Sequence, residues 1–559
     1  MISLRPNIDS IGEGTGKTAV EIARLRLMIG GALFAAAFLA IAFRLFDLAV
    51  IHQGSAGPQL ASRYVTAPDN MARADIVDRN GVLLATNLET ASLAAVPRLV
   101  HDAERTATAL VEILPELDLD ETVQKLRSAA NFVWLKRGLT PNQYYATNRL
   151  GEPGLEFRFE QRRIYPNAAL AAHAVGFSGI DNEGLSGIER GLDADLAGGR
   201  MPLRLSLDMR VQQIVYQELE AQIEAFSALG GGGLVLDANT GEILAMVSLP
   251  DFDPNQPGRA SDEQKFNRMS FGLYELGSVF KIFTLATALE TGVASLASLY
   301  DATDPITVSR FTINDYKPQA RTLSLTEVFR YSSNIGAAKI GLDIGGEVQR
   351  SYLRNLGLLD PIDIEMPERG APIYPSYWRD VTTMTVSYGH GIAVTPLHLA
   401  AAVATVVNGG TYHPPTLLAR DPDEPVASRR VYSQATSIQM RRLLRMVVAE
   451  GTGGKAAAPG YLVGGKTGTA EKTRDGGYDQ SALLTSFVAA FPITDPKYVV
   501  MVMLDEPHGT KASYGYATAG WTAAPVVGRV VARIAPLLGL LPANLPAAPG
   551  GELHQIASN

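Results

Sequence analysis

"GGGLVLDANTGEILAMVSLP", residues 231 to 250, reads as two runs of alternating apolar side chains meeting at Asn239-Thr240-Gly241. Alternation with period two puts every second side chain on one face of a strand, and a Gly-containing turn between two such runs signals a hairpin. Comparable runs return far downstream in "YLVGGKTGTAEKT" (461–473), "SALLTSFVAAF" (481–491) and "KYVVMVMLDEP" (497–507), spaced as an antiparallel meander. Helical patterns dominate from about 278 to 455. Strands at both ends with a helical block between them predict an antiparallel sheet covered by helices, an α+β architecture.

Upstream of the hairpin, "DMRVQQIVYQELEAQIEAF" (208–226) has helical spacing, and residues 65 to 205 read as mixed short strands and loops. "ADIVDRNGVLLATN" (74–87) is a strand–turn–strand pattern around Asn80-Gly81. The Gly-rich "GLSGIERGLDADLAGG" (184–199) by itself means turns and close backbone packing. Near the start, Leu27 to Phe43 runs 17 residues without a charge. That is the lower end of what spans a bilayer, and longer than the roughly 7–15 apolar residues of a signal peptide. A buried core helix or a cleaved signal peptide are the alternatives. Lys17, Arg24 and Arg26 precede the run, against Arg44 and Asp47 after it, which puts the N-terminus in the cytoplasm and the body outside.

Composition removes several functions. At 559 residues the chain has room for two or three domains, and 46% apolar with 19% charged residues describes a globular protein. A net charge of −8 offers no basic face to a nucleic acid. The absence of cysteine excludes disulfides, thiolate zinc sites and cysteine nucleophiles together. The eight histidines show no ligand spacing, so neither a metal nor a cofactor is expected.

Three short stretches carry chemistry. In "LGSVFKIF" (276–283), Ser278 and Lys281 interrupt an apolar run that reads as a buried helix beginning near Gly277 and ending near Gly292. Positions three apart share a helix face, so hydroxyl and amine can meet. An apolar setting disfavours the charged ammonium, which lets lysine act as the base for a serine. In "YSSNIGAAK", Ser332, Ser333 and Asn334 add a hydroxyl and an amide to the helical block; in "GGKTGTAEK", Lys466, Thr467, Gly468 and Thr469 lie on a strand. Gly468 inside a strand suggests close approach by another backbone or a ligand. Taken singly, each stretch has a structural explanation: a capping serine with a snorkelling lysine, a helix N-cap, a hairpin end. Together and in this order they are hard to dismiss.

The combination S278-V-F-K281, S332-S-N334 and K466-T-G-T469 resembles the S-x-x-K, S-x-N and K-T-G set of penicillin-binding proteins and serine β-lactamases. "RADIVDRNG" (73–81) and "GLSGIERGLD" (184–193) look like pedestal motifs of class B penicillin-binding proteins. "LDANTGEILAMVSLPDFDPN" (236–255) looks like the opening of their transpeptidase domain. "TMTVSYGHGIAVTPLHLAAAVATVVNGG" (383–410) is closer to the division-specific, FtsI-type branch than to the elongation branch. Leu276 stands where many relatives have proline. The resemblance runs from the anchor to about residue 535. It implies a cytoplasmic segment 1–26, a transmembrane signal anchor 27–46, an elongated pedestal or dimerisation domain 60–205, a transpeptidase domain 206–540 and a flexible tail 541–559.

The implied activity is a D,D-transpeptidase of septal wall synthesis, with its catalytic domain periplasmic and its anchor in the inner membrane. An elongation-specific transpeptidase, a D,D-carboxypeptidase and a non-catalytic division scaffold are the alternatives. The implied roles are Ser278 as nucleophile, Lys281 as its base, Lys466 keeping Lys281 neutral, Ser332 as proton relay and Asn334 as donor holder. Thr467, Gly468 and Thr469 would bind substrate, and the backbone amides of Ser278 and Thr469 would form the oxyanion hole. Implied partners are stem peptides ending in D-Ala-D-Ala, β-lactams, a SEDS-family glycan polymerase, other divisome proteins and the membrane. His390 lines the site or is a satisfied structural histidine.

Overall fold

The structure, a computed structural model, describes residues 25, 28–40, 42, 73–199, 201–308, 311–421, 423–474 and 477–543. The chain divides into a unit ending at Asn70 and a unit beginning at Met71. In the first, residues 28–40 are helical with exposed side chains. Among the described residues no helix is long and apolar enough to cross a membrane. Positions 27, 41 and 43–46 of the expected anchor lie outside the described residues, as do the expected domain start at 60 and the tail from 544.

The second unit opens with a five-stranded sheet: β1 (Ile76–Val77), β2 (Leu83–Ala95), β3 (Val133–Leu139), β4 (Leu155–Ile164) and β5 (Leu203–Arg204). β1 and β2 pair antiparallel across Asn80-Gly81, as their sequence predicts. The buried Asp78 carboxylate fixes the turn by accepting the amides of Asn80 and Val82, and it also accepts the amide of Met209. Two helices, α1 (Ala103–Ile113) and α2 (Leu119–Leu126), correct the reading of this region as short strands and loops. Asp102 and Asp118 cap them, and Leu110, Leu114 and Leu126 pack with Leu93 and Leu135 of the sheet. β2, at 13 residues, is not short either.

The two quoted pedestal-like motifs meet in a buried ion-pair cluster. Arg73 holds Glu189 at 2.5 Å and Asp193 at 2.6 Å, and Arg163 takes the other Glu189 oxygen at 2.7 Å. Two guanidiniums thus share one fully buried carboxylate.

The remainder is built on β6 (Gly230–Asp237), β7 (Ile243–Leu249), β8 (Gly464–Arg474), β9 (Gly477–Phe491) and β10 (Tyr498–Asp505). They form one antiparallel sheet in the order β8-β9-β10-β6-β7. Among its helices are α3 (Met209–Ala225), α4 (Lys281–Thr291), α5 (Leu325–Tyr331), α6 (Asn334–Ile344), α7 (Pro396–Val407), α8 (Gln434–Glu450) and α9 (Ala523–Leu537). Strand alternation sorts the core into two layers. Val235, Val500, Val502 and Phe487 face α3 and α9, whereas Leu234, Leu236, Met501, Met503 and Val488 share a core with α4, α7 and α8. The expected antiparallel sheet covered by helices is what the chain forms.

Candidate active site

Ser278 lies in a single 3-10 turn, Gly277–Phe280, that runs directly into Lys281, the first residue of α4, and α4 ends at left-handed Gly292. Side chains three apart eclipse in a 3-10 turn, so the pair is closer to face-to-face than an α-helix would place it. Ile282, Phe283, Leu285 and Ala286 bury α4 on all sides and carry Lys281 into the core with them. Its Nζ stands 2.8 Å from Ser278 Oγ, 2.6 Å from Asn334 Oδ1, and 2.9 and 3.2 Å from the carbonyl and hydroxyl of Ser332.

Ser332 occupies the corner between α5 and α6. It caps the C-terminal end of α5, at φ +60°, while Ser333 caps the next helix by accepting the Gly336 amide. A non-glycine residue held left-handed costs about 1–2 kcal/mol, and here it aims the Ser332 hydroxyl between two lysines. The corner is held by Asp315, a residue the sequence gave no reason to select. Its buried carboxylate accepts the Ser333 hydroxyl at 2.7 Å and the amides of Asn334 and Ile335 at 2.5 and 3.0 Å. Asn334 Nδ2 donates to the Asn314 carbonyl at 2.9 Å, which leaves Oδ1 pointing at Lys281.

Lys466 arrives from the sheet. β8 pairs Lys466 with Val488, so its side chain emerges on the α4 side, and Nζ donates to Ser332 Oγ at 2.9 Å. Thr467 and Thr469 emerge on the other face: Thr467 Oγ1 meets Thr452 Oγ1 at 2.8 Å, and Thr469 Oγ1 accepts the Ala519 amide at 3.2 Å. At Gly468 the backbone of the nucleophile turn comes so close that a Cβ would stand 2.4 Å from the Leu276 carbonyl. The edge strand therefore lies flush against the turn carrying Ser278, and its backbone amides are not all used by sheet pairing.

Both lysines are fully buried. Burial, reinforced by the nearby Lys466 charge and opposed by Asp315, holds Lys281 well below the usual lysine range. Burial brings Lys466 down to about 7. An uncharged Lys281 has two N–H donors and one lone pair. Donating to Asn334 Oδ1 and the Ser332 carbonyl leaves the lone pair for the Ser278 hydroxyl. Four groups are thereby linked in a proton path from Ser278 through Lys281 and Ser332 to Lys466, next to solvent at Ser278, Ser332, Asn334 and Thr469. His390 is also at the rim, partly exposed beside Glu275.

Comparison with known proteins agrees with this arrangement. The family model described as penicillin binding protein transpeptidase domain matches residues 231–529, and that of the penicillin-binding protein dimerisation domain matches residues 68–214. The chain is 42% identical over 482 residues to a probable peptidoglycan D,D-transpeptidase FtsI of Caulobacter vibrioides, covering 84% of this chain and 82% of that one. Against the peptidoglycan D,D-transpeptidase FtsI of Escherichia coli K12 it is 30% identical over 516 residues, 86% of each chain. The crystal structure of penicillin binding protein 3 from Mycobacterium tuberculosis complexed with ampicillin aligns at a TM-score of 0.68 and 26% identity, over 86% of this chain and 98% of that one.

Proposed function

The chain belongs to the penicillin-binding proteins, in their class B, FtsI-type branch, and on that premise we propose how its residues divide the reaction. It is a peptidoglycan D,D-transpeptidase of cell division, a serine acyltransferase inhibited by β-lactams. Ser278 Oγ attacks the carbonyl between the two terminal D-alanines of a donor stem peptide while the Lys281 lone pair takes its proton. Ser332 and Lys466 return a proton to the departing D-alanine nitrogen. The amides of Ser278 and Thr469 hold the oxyanion; losing one such donor typically costs about 10²–10³ in rate. Lys466, Thr467 and Thr469 take the substrate carboxylate, Gly468 keeps the strand close, and Asn334 holds both the donor and Lys281. An amine of a second stem peptide then takes the acyl group from Ser278.

The observation that carries this reading is the fully buried Lys281 amine 2.8 Å from a partly exposed serine hydroxyl. A non-catalytic scaffold has no use for so costly a burial. Segments 1–26, 27–46, 60–205, 206–540 and 541–559 would serve as cytoplasmic end, inner-membrane anchor, pedestal, periplasmic transpeptidase domain and tail. A SEDS-family polymerase and other divisome proteins would engage the anchor and pedestal. The test is donor pentapeptide with an amine acceptor: terminal D-alanine should be released with formation of an amide-linked product. Ser278→Ala protein that still makes this product would remove the serine from the reaction.

A further inference from the structure

Two ionisable side chains at the rim of this site have no part in the reaction as derived above, Glu275 and His390. Glu275 lies three residues before Ser278, and its Oε1 accepts the Gly391 amide at 3.0 Å. His390 Nδ1 stands 4.0 Å from Glu275 Oε2, and the two side chains keep 28% and 23% of their surface exposed. Backbone contacts fix this corner to the nucleophile turn. Tyr274 and Val394 exchange both amide hydrogen bonds at 3.0 Å, and a Cβ on Gly389 would stand 2.1 Å from the Gly277 carbonyl. Asp315, the carboxylate at the α5–α6 corner, is buried and engaged with Ser333 and the start of α6, whereas Glu275 reaches solvent.

The second substrate has an electrostatic difficulty that the first does not. An alkyl amine with a pKa near 10 arrives as an ammonium, and the lysines on the α4 side of Ser278 offer it no attraction. We propose that Glu275, with His390 beside it, is the subsite that receives the ammonium of the acceptor strand before it attacks the Ser278 acyl-enzyme. The proposal rests on the acyl-transfer reading above. Burial lowers His390 to about 4, so at neutral pH its imidazole adds no positive charge against the incoming group. In the transfer the ammonium gives one proton to solvent, its nitrogen bonds the acyl carbon, and the ester C–O bond to Ser278 breaks. Lys281 passes the second amine proton to the serine oxygen.

The purified full-length chain would be acylated with a thioester analogue of an acyl-D-alanyl donor and offered two acceptors. One is Nα-acetyl-lysine amide, a cation; the other is hydroxylamine, uncharged at neutral pH. Glu275→Gln, which removes the anion, and His390→Lys, which sets a cation against it, should each lower transfer to the lysine amine relative to hydroxylamine by about tenfold. An equal fall for both acceptors would mean that Glu275 only shapes the Gly391 turn, and would overturn the subsite. Unchanged transfer to both would overturn it as well. Wild-type protein that releases the thiol but hands the acyl group to water alone would instead overturn the acyl-transfer reading.

Discussion

Arginine at position 281 would keep a cationic, hydrogen-bonding head near Ser278 and remove the one thing required of it, a lone pair. Lys281→Arg should therefore slow acylation by penicillin about 10²–10⁴-fold, the usual worth of a general base, while the protein stays folded. A labelling rate within threefold of wild type would take lysine out of that role. Lys466 makes a linkage prediction. Its folded pKa, about 7, lies below the usual 10.5, so between those values the unfolded chain binds more protons than the folded one. Stability conferred at this position must then rise with pH across that window. Urea titrations of wild type and Lys466→Met at pH 7 and pH 9 should diverge in that sense, by up to about 1.4 kcal/mol per pH unit. Ser278 and Lys281 were legible because their spacing matches a helix turn, and Lys466 because a glycine interrupts its strand. Asp315 was not: it acts on residues 18 to 20 positions away, and "TINDYKPQ" carries no local sign of it.

The α5–α6 corner and the β8 edge are where whole elements, not single groups, set the geometry. Asp315→Ala removes three hydrogen bonds from the start of α6 and leaves Ser332 and Asn334 without their brace. Loss of bonds to a charged group, with the helix dipole no longer opposed, should cost about 2–3 kcal/mol and slow acylation as well. Asp315→Asn should recover part of both, whereas activity unchanged in Asp315→Ala would show that the corner holds itself. A side chain at Gly468 collides with the Leu276 carbonyl, so Gly468→Val should push β8 from the nucleophile turn. Penicillin acylation should fall at least tenfold with the melting temperature lowered only modestly; rapid acylation would mean the strand contact is dispensable. The strands and α4 could be read from their periods. The 3-10 turn could not, because it shares the i, i+3 relation with an α-helix, and α1 and α2 depend on Asp caps and a sheet to lie on.

Across the whole molecule the sheet joins strands more than 250 residues apart: Gly230 of β6 pairs with Asp505 of β10. Alternation predicted that these strands exist and that helices cover them. The β6–β7 hairpin and the β8-β9-β10 meander were legible as well, but the junction of β10 with β6 was not, because pairing between distant strands is decided by which faces need burial, not by neighbours in sequence. The same limit applies to Glu189, Arg73 and Arg163, whose meeting unites motifs that are over 100 positions apart. Glu189→Gln leaves the buried Arg163 guanidinium without its anion and Arg73 with only the partly exposed Asp193, a loss typically worth about 3–5 kcal/mol. Calorimetry should show a melting temperature lower by several degrees, and no change would mean solvent reaches the cluster.

A buried Lys281, held well below the usual lysine range, makes Ser278 the nucleophile. Intact mass and peptide mapping after incubation with penicillin test it most directly. One stable penicilloyl adduct on Ser278 in the wild type, absent in Ser278→Ala and formed far more slowly in Lys281→Arg, is the predicted result. An adduct on any other residue, or one formed at equal rate without the lysine, would contradict it.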